Sequence, residues 1–400
     1  MNYNLCMLDL TVSRRLERVV RAAARQYPVV TITGPRQSGK TTLCRRVFRG
    51  KSYVSLEPLD AREFAKSDPR GFLKQYQSGA ILDEVQHVPE LFSYLQEDVD
   101  RDPRKGRFIL TGSQHFGLTA AISQSLAGRV AVLHLLPLSL DEREKFPDPV
   151  GTLDEALCQG GYPRIPAERI PAGRWLADYL TTYVQRDVRQ LSNISDLDSF
   201  TRFLRLGAGR TAQEVNLSAW GADAGISHNT AKAWLSVLEA SFIVFRIPAW
   251  HRNIRKQLVK APKLHFVDTG LACHLLGIRD AEQLQFHPLR GPLFESWVAS
   301  EVLKQRVHTG LPANLFHFRE SRGIEVDLIV EEGARRIATE VKSAQTVSQS
   351  FFANLDKFLD VIPKNDRTKT TARLIYGGDQ AQQRKGATVL GWRHVPEVGW

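Results

Sequence analysis

The stretch Gly34-Pro35-Arg36-Gln37-Ser38-Gly39-Lys40-Thr41 decides the class of fold, because it matches the pattern G-x-x-x-x-G-K-[ST] of a phosphate-binding loop. The glycines allow backbone N–H groups to turn toward a phosphate, and Lys40 can reach its β- and γ-oxygens. Thr41 offers a hydroxyl to Mg²⁺, and the helix that follows, opened by Thr42, directs its positive end at the anion. These nine residues are the predicted binding site for ATP and Mg²⁺.

The residues around this loop predict a strand before it and a helix after it. Val29 to Thr33 is a β-branched run, and Thr42 to Phe48 carries apolar residues at helical spacing. Short apolar runs continue to alternate with helical stretches up to about Leu140, which is typical of a mostly parallel sheet. The later predicted strands are 53–56, 80–82, 107–111 and 131–135. Residues 1–140 are therefore predicted to form an α/β domain of the P-loop type.

Composition limits the classes to which the chain can belong. Its 400 residues, of which 42% are hydrophobic, suffice for two or three domains with ordinary cores. No apolar run is long enough to span a bilayer, and residues 1–10 lack the pattern of a secretory signal. The cysteines include no C-x-x-C pair, which indicates reduced thiols instead of a disulfide frame or a zinc site. We therefore expect a cytoplasmic protein with no membrane partner.

The charge balance indicates a polyanionic partner. The formal net charge is +11 and the isoelectric point is near 9.6, values that favour a polyanion. The predicted partner is nucleic acid, DNA more than RNA. Basic residues cluster on the predicted first helix, from Arg14 to Arg25, and in the acid-free segment from Arg252 to Lys263. The alternative is a basic surface without a dedicated ligand.

An acidic pair, Asp83-Glu84, follows the predicted strand at 80–82. At the carboxyl end of a strand beside the loop, Asp83 is expected to hold Mg²⁺ through water, and Glu84 to polarise the water that attacks the γ-phosphate. The alternative is an ordinary pair of carboxylates in a strand-to-helix loop. The glutamate favours ATP hydrolysis over transfer to a small acceptor, so a metabolite kinase is disfavoured.

Two further polar residues are candidates for contact with the γ-phosphate. Ser113 follows the fourth predicted strand, from which it can reach the phosphate or position the water. Arg129 precedes the fifth predicted strand and can stabilise the transferring phosphate, either in cis or across a subunit boundary in a homo-oligomer. The alternatives are a polar strand end and an exposed arginine at a turn.

Together these motifs resemble the prokaryotic AAA+ superfamily ATPases related to the archaeal ATPase group. The resemblance covers nearly the whole chain and implies a P-loop AAA+ fold with ATPase activity, followed by a C-terminal region whose function it does not specify. The stretches that carry the resemblance are residues 34–42, Asp83-Glu84-Val85-Gln86, Thr111-Gly112-Ser113, Ser125 to Val130, Gly160 to Pro163 and Tyr183 to Asp187.

The middle of the chain predicts a winged helix-turn-helix within a helical region. Residues 217–224 predict a first helix, Gly225-Ile226 a turn, Ser227 the N-cap of a second helix, and residues 242–247 a strand. The second helix can face a DNA groove, and the basic segment from Arg252 to Lys263 can contact phosphates. Alternatively, the module packs against other domains or binds a protein. The candidate groove-facing residues are His228, Asn229, Lys232 and Ser236.

The last part of the chain resembles the core of the PD-(D/E)xK nucleases, although Val326 stands at the position of the motif's proline. Asp327 and Glu340 lie on two predicted strands, and carboxylates from adjacent strands can hold Mg²⁺. Glu295, on a helix, can complete the site. Lys342 shares a strand face with Glu340 and can position or deprotonate a water. The alternatives are ion-paired surface strands, or a site that binds nucleic acid without cutting it.

The predicted organisation is therefore a P-loop AAA+ domain at 1–140, a helical region with a winged helix-turn-helix at 141–262, and a restriction-endonuclease-like α/β domain at 263–400. One function that fits is ATP hydrolysis coupled to a nuclease-like domain that acts on nucleic acid. A second is an ATP-controlled switch or scaffold whose C-terminal domain binds a partner without cleavage. A third is a transcription regulator that uses the winged helix.

Overall fold

A computed structural model describes the chain at residues 12–113, 125–184, 194, 196–251, 260–320, 323–384 and 386–400. The chain divides into two compact units. The P-loop unit contains the described residues up to Leu138, together with the segments Ala240–Phe242 and Val307–Leu311. The second unit contains Ser139–Glu239, Ile243–Arg306 and Pro312–Trp400. Within the described ranges, no helix is both long enough and apolar enough to cross a bilayer.

The P-loop unit alternates helices and strands. In chain order its elements are α1 (Leu16–Gln26), β1 (Val29–Gly34), α2 (Lys40–Val47), β2 (Ser52–Ser55), α3 (Leu59–Ser67), α4 (Pro69–Lys74), β3 (Ala80–Asp83), α5 (Leu91–Arg101), β4 (Phe108–Ser113) and β5 (Val130–His134). A short 3₁₀ turn, Val85–His87, follows β3.

The five strands form one parallel sheet in the order β2-β3-β4-β1-β5. This confirms the predicted α/β fold with a parallel sheet. In the register, Gly34 lies opposite Ser113, and Ser55 lies opposite Asp83. The carboxyl ends of β1, β3 and β4 therefore meet at one edge of the sheet, which is where open α/β sheets bind ligands.

Both faces of this sheet are buried against helices. Successive side chains of a strand point to opposite sides, so neighbouring residues of β1 belong to different cores. Val30 and Ile32 of β1 belong to a core that includes Leu16 of α1 and Leu43 of α2. Val29 belongs to a second core, formed with residues of α3, α4 and α5. Central strands that are buried on both faces read as continuous β-branched runs, and this explains why β1 was predictable.

The second unit contains the remaining elements. They are α6 (Leu140–Arg143), α7 (Leu153–Gln159), α8 (Arg164–Glu168), α9 (Ala172–Thr182), α10 (Leu197–Ala208), β6 (Gln213–Glu214), α11 (Leu217–Ala224), α12 (His228–Ala240), β7 (Val244–Ile247), β8 (Lys263–Phe266), α13 (Thr269–Leu275), α14 (Ala281–Gln285), α15 (Arg290–His308), β9 (Leu315–Arg319), β10 (Glu325–Glu332), β11 (Arg335–Lys342), α16 (Ala353–Val361), α17 (Lys364–Arg367), β12 (Thr370–Tyr376), β13 (Gln382–Arg384) and β14 (Ala387–Gly391). The last residue of α12 and the last two of α15 belong to the P-loop unit.

The second unit contains a three-stranded antiparallel sheet in the order β6-β8-β7. Along the chain, β6 lies between α10 and α11, and β7 and β8 follow α12. Gly225 ends α11 with a φ of 76° in the left-handed region, where glycine has no side-chain penalty. The Ser227 hydroxyl accepts a hydrogen bond from the N–H of Thr230, so it caps the start of α12 as the sequence predicted. Lys263, the first residue of β8, pairs on one side with Glu214 and on the other with Ile247.

A six-stranded mixed sheet follows, in the order β13-β14-β12-β11-β10-β9. Strands β9, β10 and β11 are antiparallel neighbours, whereas β11, β12 and β14 run parallel to one another. Buried residues from Leu140 to Trp400 form one continuous core in the second unit. The three-stranded and six-stranded sheets are therefore parts of one packed body.

The stretch Gly160 to Pro163 has a structural explanation in this core. The N–H of Gly161 donates to the buried carboxylate of Asp268, which also caps α13 by accepting from the N–H of Leu271. A Cβ at residue 160 would lie 2.2 Å from Oδ1 of Asp268, so glycine is required there. The ring of Tyr162 packs in a tilted arrangement against the rings of Trp175 and Tyr179 of α9. The motif therefore serves packing within the second unit.

Candidate functional site

The phosphate-binding loop connects the end of β1 to the start of α2. Gln37 and Gly39 have φ values of 59° and 93°, the left-handed conformation that lets successive N–H groups point inward. Gly34 is required at the strand end, because a Cβ there would lie 2.2 Å from the carbonyl oxygen of Leu135. The loop therefore has the backbone that a phosphate site needs.

Lys40 lies inside the loop. Its ammonium group donates to the carbonyl oxygens of Gly34 at 3.1 Å and Pro35 at 2.8 Å. Burial lowers the pKa of Lys40 to about 8, and the nearby carboxylates of Glu84 and Asp83 oppose this shift. Arg36 lowers the pKa further. The loop therefore presents a desolvated cation whose charge a phosphate would stabilise.

The carboxylate of Asp83 accepts hydrogen bonds from hydroxyl groups of three other elements. Thr41 at the start of α2 donates to it at 3.0 and 3.1 Å, and Tyr53 of β2 donates at 2.8 Å. The Thr111 hydroxyl of β4 is a third donor to the same carboxylate. Asp83 is buried, with 6% of its surface exposed. These three side-chain partners of the buried carboxylate are all neutral.

Glu84 and Ser113 lie at the same edge of the sheet. Glu84 has a left-handed φ of 57°, accepts a hydrogen bond from Gln86 and interacts electrostatically with Lys40. Ser113 is opposite Gly34 in the register. The Ser113 hydroxyl is buried and has no hydrogen-bond partner within the described part of the chain. The structure thus brings the loop, Asp83, Glu84 and Ser113 together.

Arg129 lies elsewhere. It precedes Val130, which pairs with Val29 at the amino end of β1, about 16 Å from Gly34 at roughly 3.3 Å per residue. Its guanidinium forms an exposed ion pair with Asp100, at 2.9 Å from Oδ2. Parallel strands place their amino ends at the edge opposite the loop. Arg129 therefore lies too far from the loop to act on a phosphate in cis.

Two residues of this site were missed by the sequence analysis. Tyr53 is opposite Ile81 in the register, two positions before Asp83, and its hydroxyl nevertheless donates to the Asp83 carboxylate. Arg14, interpreted as part of a basic cluster, is buried and donates to the carbonyl oxygens of Ser38 at 2.8 Å and Leu136 at 2.7 Å. Arg14 therefore ties the phosphate-binding loop to the chain after β5. No local pattern predicts either contact.

The residues at this edge fit MgATP. The inward N–H groups and Lys40 suit the phosphates, whereas the Thr41 hydroxyl and the Asp83 carboxylate are oxygen ligands of the kind that Mg²⁺ prefers. Asp83 is held by neutral hydroxyls, so its charge stays available to a cation.

The second unit contains a group of four acidic residues and two lysines, the carboxylate cluster. It consists of Glu295 of α15, Glu325 and Asp327 of β10 and Glu340 of β11, with the ammonium groups of Lys263 and Lys342. The structure therefore brings together the four residues that the sequence predicted, and adds Glu325 and Lys263. Within the described residues, no group of three or more histidine, cysteine or acidic side chains is arranged to hold a metal ion.

Lys263 lies among three of these carboxylates. Its Nζ atom is 2.8 Å from Oε1 of Glu295, 2.7 Å from Oε1 of Glu325 and 3.7 Å from Oδ1 of Asp327. Only 2% of Lys263 is exposed. The expectation that the basic segment contacts phosphates is therefore wrong for Lys263, while Arg252, Arg255 and Lys256 lie outside the described residues.

Other oxygens of the carboxylate cluster also have partners, except Oε2 of Glu340, which is buried without a hydrogen-bond partner among the described residues. Oδ2 of Asp327 accepts from the N–H of Val341 at 2.8 Å, and Lys342 lies 2.6 Å from Oε1 of Glu340. Burial, followed by the charge of Asp327, raises the pKa of Glu295 to about 8 and that of Glu340 to about 7. Burial opposes a charged Lys263, yet Glu295, Asp327 and Glu325 raise its pKa above the usual range.

Comparison with known proteins finds family models that match three successive parts of the chain. Residues 26–144 match the model of an AAA domain, residues 150–282 match a domain of unknown function (DUF8612), and residues 290–395 match another (DUF4143). Uncharacterised proteins of Mycobacterium bovis and Mycobacterium tuberculosis are each 32% identical over 338 residues, which is 83% of this chain and 74% of theirs. The chain belongs to their family. With its AAA domain, the family has the P-loop ATPase architecture that the sequence predicted.

Solved structures also show similarity. A Walker-type ATPase of Pyrococcus abyssi is 16% identical, with 65% of this chain and 94% of that chain covered and a TM-score of 0.45. AMPPCP-bound DnaA from Aquifex aeolicus is 17% identical, with 56% and 85% covered and a TM-score of 0.30. With TM-scores below 0.5, these likenesses do not assign a function to this family.

Replacement of Arg14 by alanine should weaken both the P-loop unit and its affinity for ATP. The loop would lose a charged donor to the carbonyl of Ser38, and such hydrogen bonds contribute roughly 1.5–3 kcal/mol. Thermal unfolding and calorimetric titration with MgATP measure the two effects. Arg18→Ala is the matched control, because Arg18 is an exposed arginine of α1. Equal behaviour of the two variants would show that Arg14 does not support the loop.

Proposed function

We propose that this protein binds and hydrolyses ATP with Mg²⁺ at the edge of the parallel sheet in the P-loop unit. The observation that carries the proposal is the Asp83 carboxylate, which is buried next to the phosphate-binding loop and hydrogen-bonded to Thr41. Thr41 and Asp83 would hold the metal ion, which supplies neutralisation of charge on the phosphates. Lys40 and the inward N–H groups of the loop would bind the β- and γ-phosphates.

Glu84 is the residue that we assign to the attacking water. It directly follows Asp83 and has a left-handed φ, and its electrostatic interaction with Lys40 indicates proximity to the phosphate-binding end of the site. The Glu84 carboxylate would accept a hydrogen bond from the water and orient it toward the γ-phosphate. Ser113, whose buried hydroxyl lies beside Gly34 in the register, would contact the γ-phosphate or the same water.

Arg129 enters this proposal only as a residue that acts in trans. Its position at the amino end of β5 separates it from the loop of its own chain. A homo-oligomer that brings this edge of one copy to the loop of the next would place an arginine against the transferring phosphate. The ion pair with Asp100 would then have to open.

Two variants test the ATPase assignment. Lys40→Ala should abolish hydrolysis and weaken ATP binding, because the phosphates lose their cation. Glu84→Gln should keep ATP binding but lower the rate at least a hundredfold, within the range of one general-base contribution. Phosphate release from MgATP measures the rate, and Glu90→Gln, at an exposed glutamate after the same strand, is the control. Wild-type turnover in Lys40→Ala would refute the assignment.

We further propose that the second unit binds nucleic acid, DNA in preference to RNA, through a winged helix. The order α10, β6, α11, α12, β7, β8 and the β6-β8-β7 sheet support this, since winged helices have a helix-turn-helix followed by a hairpin. His228, Asn229 and Lys232 are exposed on α12, the helix that would enter the groove. Ser236 is less exposed, and its hydroxyl donates to the carbonyl of Lys232.

We assign the six-stranded sheet to a nuclease-like domain that does not cut. Helix α15, strands β9 to β11, helix α16 and strand β12 follow the helix, strand, strand order of the PD-(D/E)xK core, and this supports the likeness. Metal-assisted cleavage is not part of the proposal, because the Lys263 ammonium lies among Glu295, Glu325 and Asp327. This observation favours the ATP-controlled switch over the nuclease.

The winged-helix proposal predicts a specific salt dependence. Lys232→Ala should weaken binding to duplex DNA and reduce the slope of log affinity against log salt by about 1, as loss of one phosphate contact does. Titration of labelled duplex by fluorescence anisotropy at several salt concentrations measures both. Lys357→Ala is the control, since Lys357 is an exposed lysine of α16. Equal effects in the two variants, or no binding at low salt, would contradict a DNA-binding α12.

A further inference from the structure

The position of Lys263 distinguishes the carboxylate cluster from a metal site. The oxygens of Glu295 and Glu325 converge on one Nζ atom at 2.8 and 2.7 Å, with Asp327 at 3.7 Å. Mg²⁺ would require oxygen ligands at about 2.0–2.1 Å in octahedral geometry. One oxygen each of Glu295, Glu325 and Asp327, which could supply such ligands, is instead directed at the Lys263 ammonium group.

The second oxygen of Asp327 is also engaged. It accepts the N–H of Val341, on the neighbouring strand β11. Glu340, the other predicted ligand, pairs with Lys342. Three carboxylates therefore face Lys263 and the fourth faces Lys342, so a divalent cation would have to displace an ammonium group, and the residues present do not fit one.

We propose that Lys263 is the built-in cation of the carboxylate cluster, so that this nuclease-like domain holds its acidic residues together without a divalent metal ion. Lys263 takes the structural role that a metal ion would have. Its ammonium group occupies the position of the cation, so metal-assisted hydrolysis does not take place at the cluster. It also joins the three-stranded sheet to the nuclease-like domain, since β8 supplies the lysine while α15 and β10 supply the carboxylates.

The backbone holds Lys263 in this position. It is in the middle strand of its sheet, with Glu214 and Ile247 as register partners on either side. Its side chain is nearly fully buried, so withdrawal would leave three acidic groups in a desolvated site without their partner.

Counting bound Mn²⁺ by electron paramagnetic resonance tests this inference on the full chain without nucleotide or nucleic acid. Wild type and Asp327→Asn should bind the same number of ions, because the cluster contributes no site. Lys263→Met, an uncharged variant of similar length, should gain one ion that Lys263→Met/Asp327→Asn loses. Its thermal midpoint should be several degrees below wild type in chelator and should recover in part in millimolar Mn²⁺.

Two outcomes would overturn the inference. One is a wild-type Mn²⁺ site that Asp327→Asn removes, and the other is a folded Lys263→Met protein that gains no ion. If Lys263→Met does not fold, the comparison of wild type with Asp327→Asn still decides the question. Because no nucleotide or nucleic acid is present, the result is independent of the proposals on ATP hydrolysis and DNA binding.

Discussion

The hydrogen bonds to the Asp83 carboxylate are the interaction on which the P-loop unit's chemistry depends. They come from α2, β2 and β4, so one buried carboxylate fixes the first helix after the loop to two strands of the sheet. A buried carboxylate is costly unless its oxygens are hydrogen-bonded. Neutral hydroxyls meet this requirement without cancelling the charge. The arrangement thereby keeps a negative site beside the loop that a metal ion can use.

The carboxylate cluster of the second unit also contains buried acidic groups, but cations compensate them instead of neutral hydroxyls. Its acidic groups are desolvated too, but the ammonium groups of Lys263 and Lys342 provide the compensation. A cation that is covalently part of the chain cannot be lost by dilution or chelation. The two sites therefore differ in kind: Asp83 remains available to an exchangeable cation, whereas the carboxylate cluster contains its own. This contrast is the reason for proposing that a metal ion binds with ATP at the P-loop unit and not at the carboxylate cluster.

The sequence predicted the features that depend on neighbouring residues. The strand, loop and helix from Val29 to Phe48 follow from β-branched residues, glycines and helical spacing, and the Asp83-Glu84 pair follows from its place at a strand end. Glu295, Asp327, Glu340 and Lys342 were grouped through the likeness to a nuclease core, and the structure brings them together. Lys263 was misinterpreted, because a run of basic residues does not reveal which of them is buried.

Other errors have the same origin in long-range geometry. The partners of Arg14 are distant in sequence and are backbone carbonyls, which carry no residue-specific signal. Arg129 precedes β5, and its distance from the loop becomes evident only when β5 is paired in parallel with β1, with Val130 opposite Val29. Tyr53 contacts Asp83 because β2 is the neighbour of β3 in the sheet, and strand order is likewise a property of the whole fold.

The most direct test of the central claim is the effect of Mg²⁺ on ATP affinity, measured by isothermal titration calorimetry with wild type and Asp83→Asn. If Asp83 is the carboxylate that serves the metal ion of MgATP, Mg²⁺ will tighten ATP binding to wild type but not to Asp83→Asn. The two proteins will bind ATP alike in chelator, because the loop and Lys40 are intact in both. Full retention of the Mg²⁺-dependent gain in Asp83→Asn would contradict the claim.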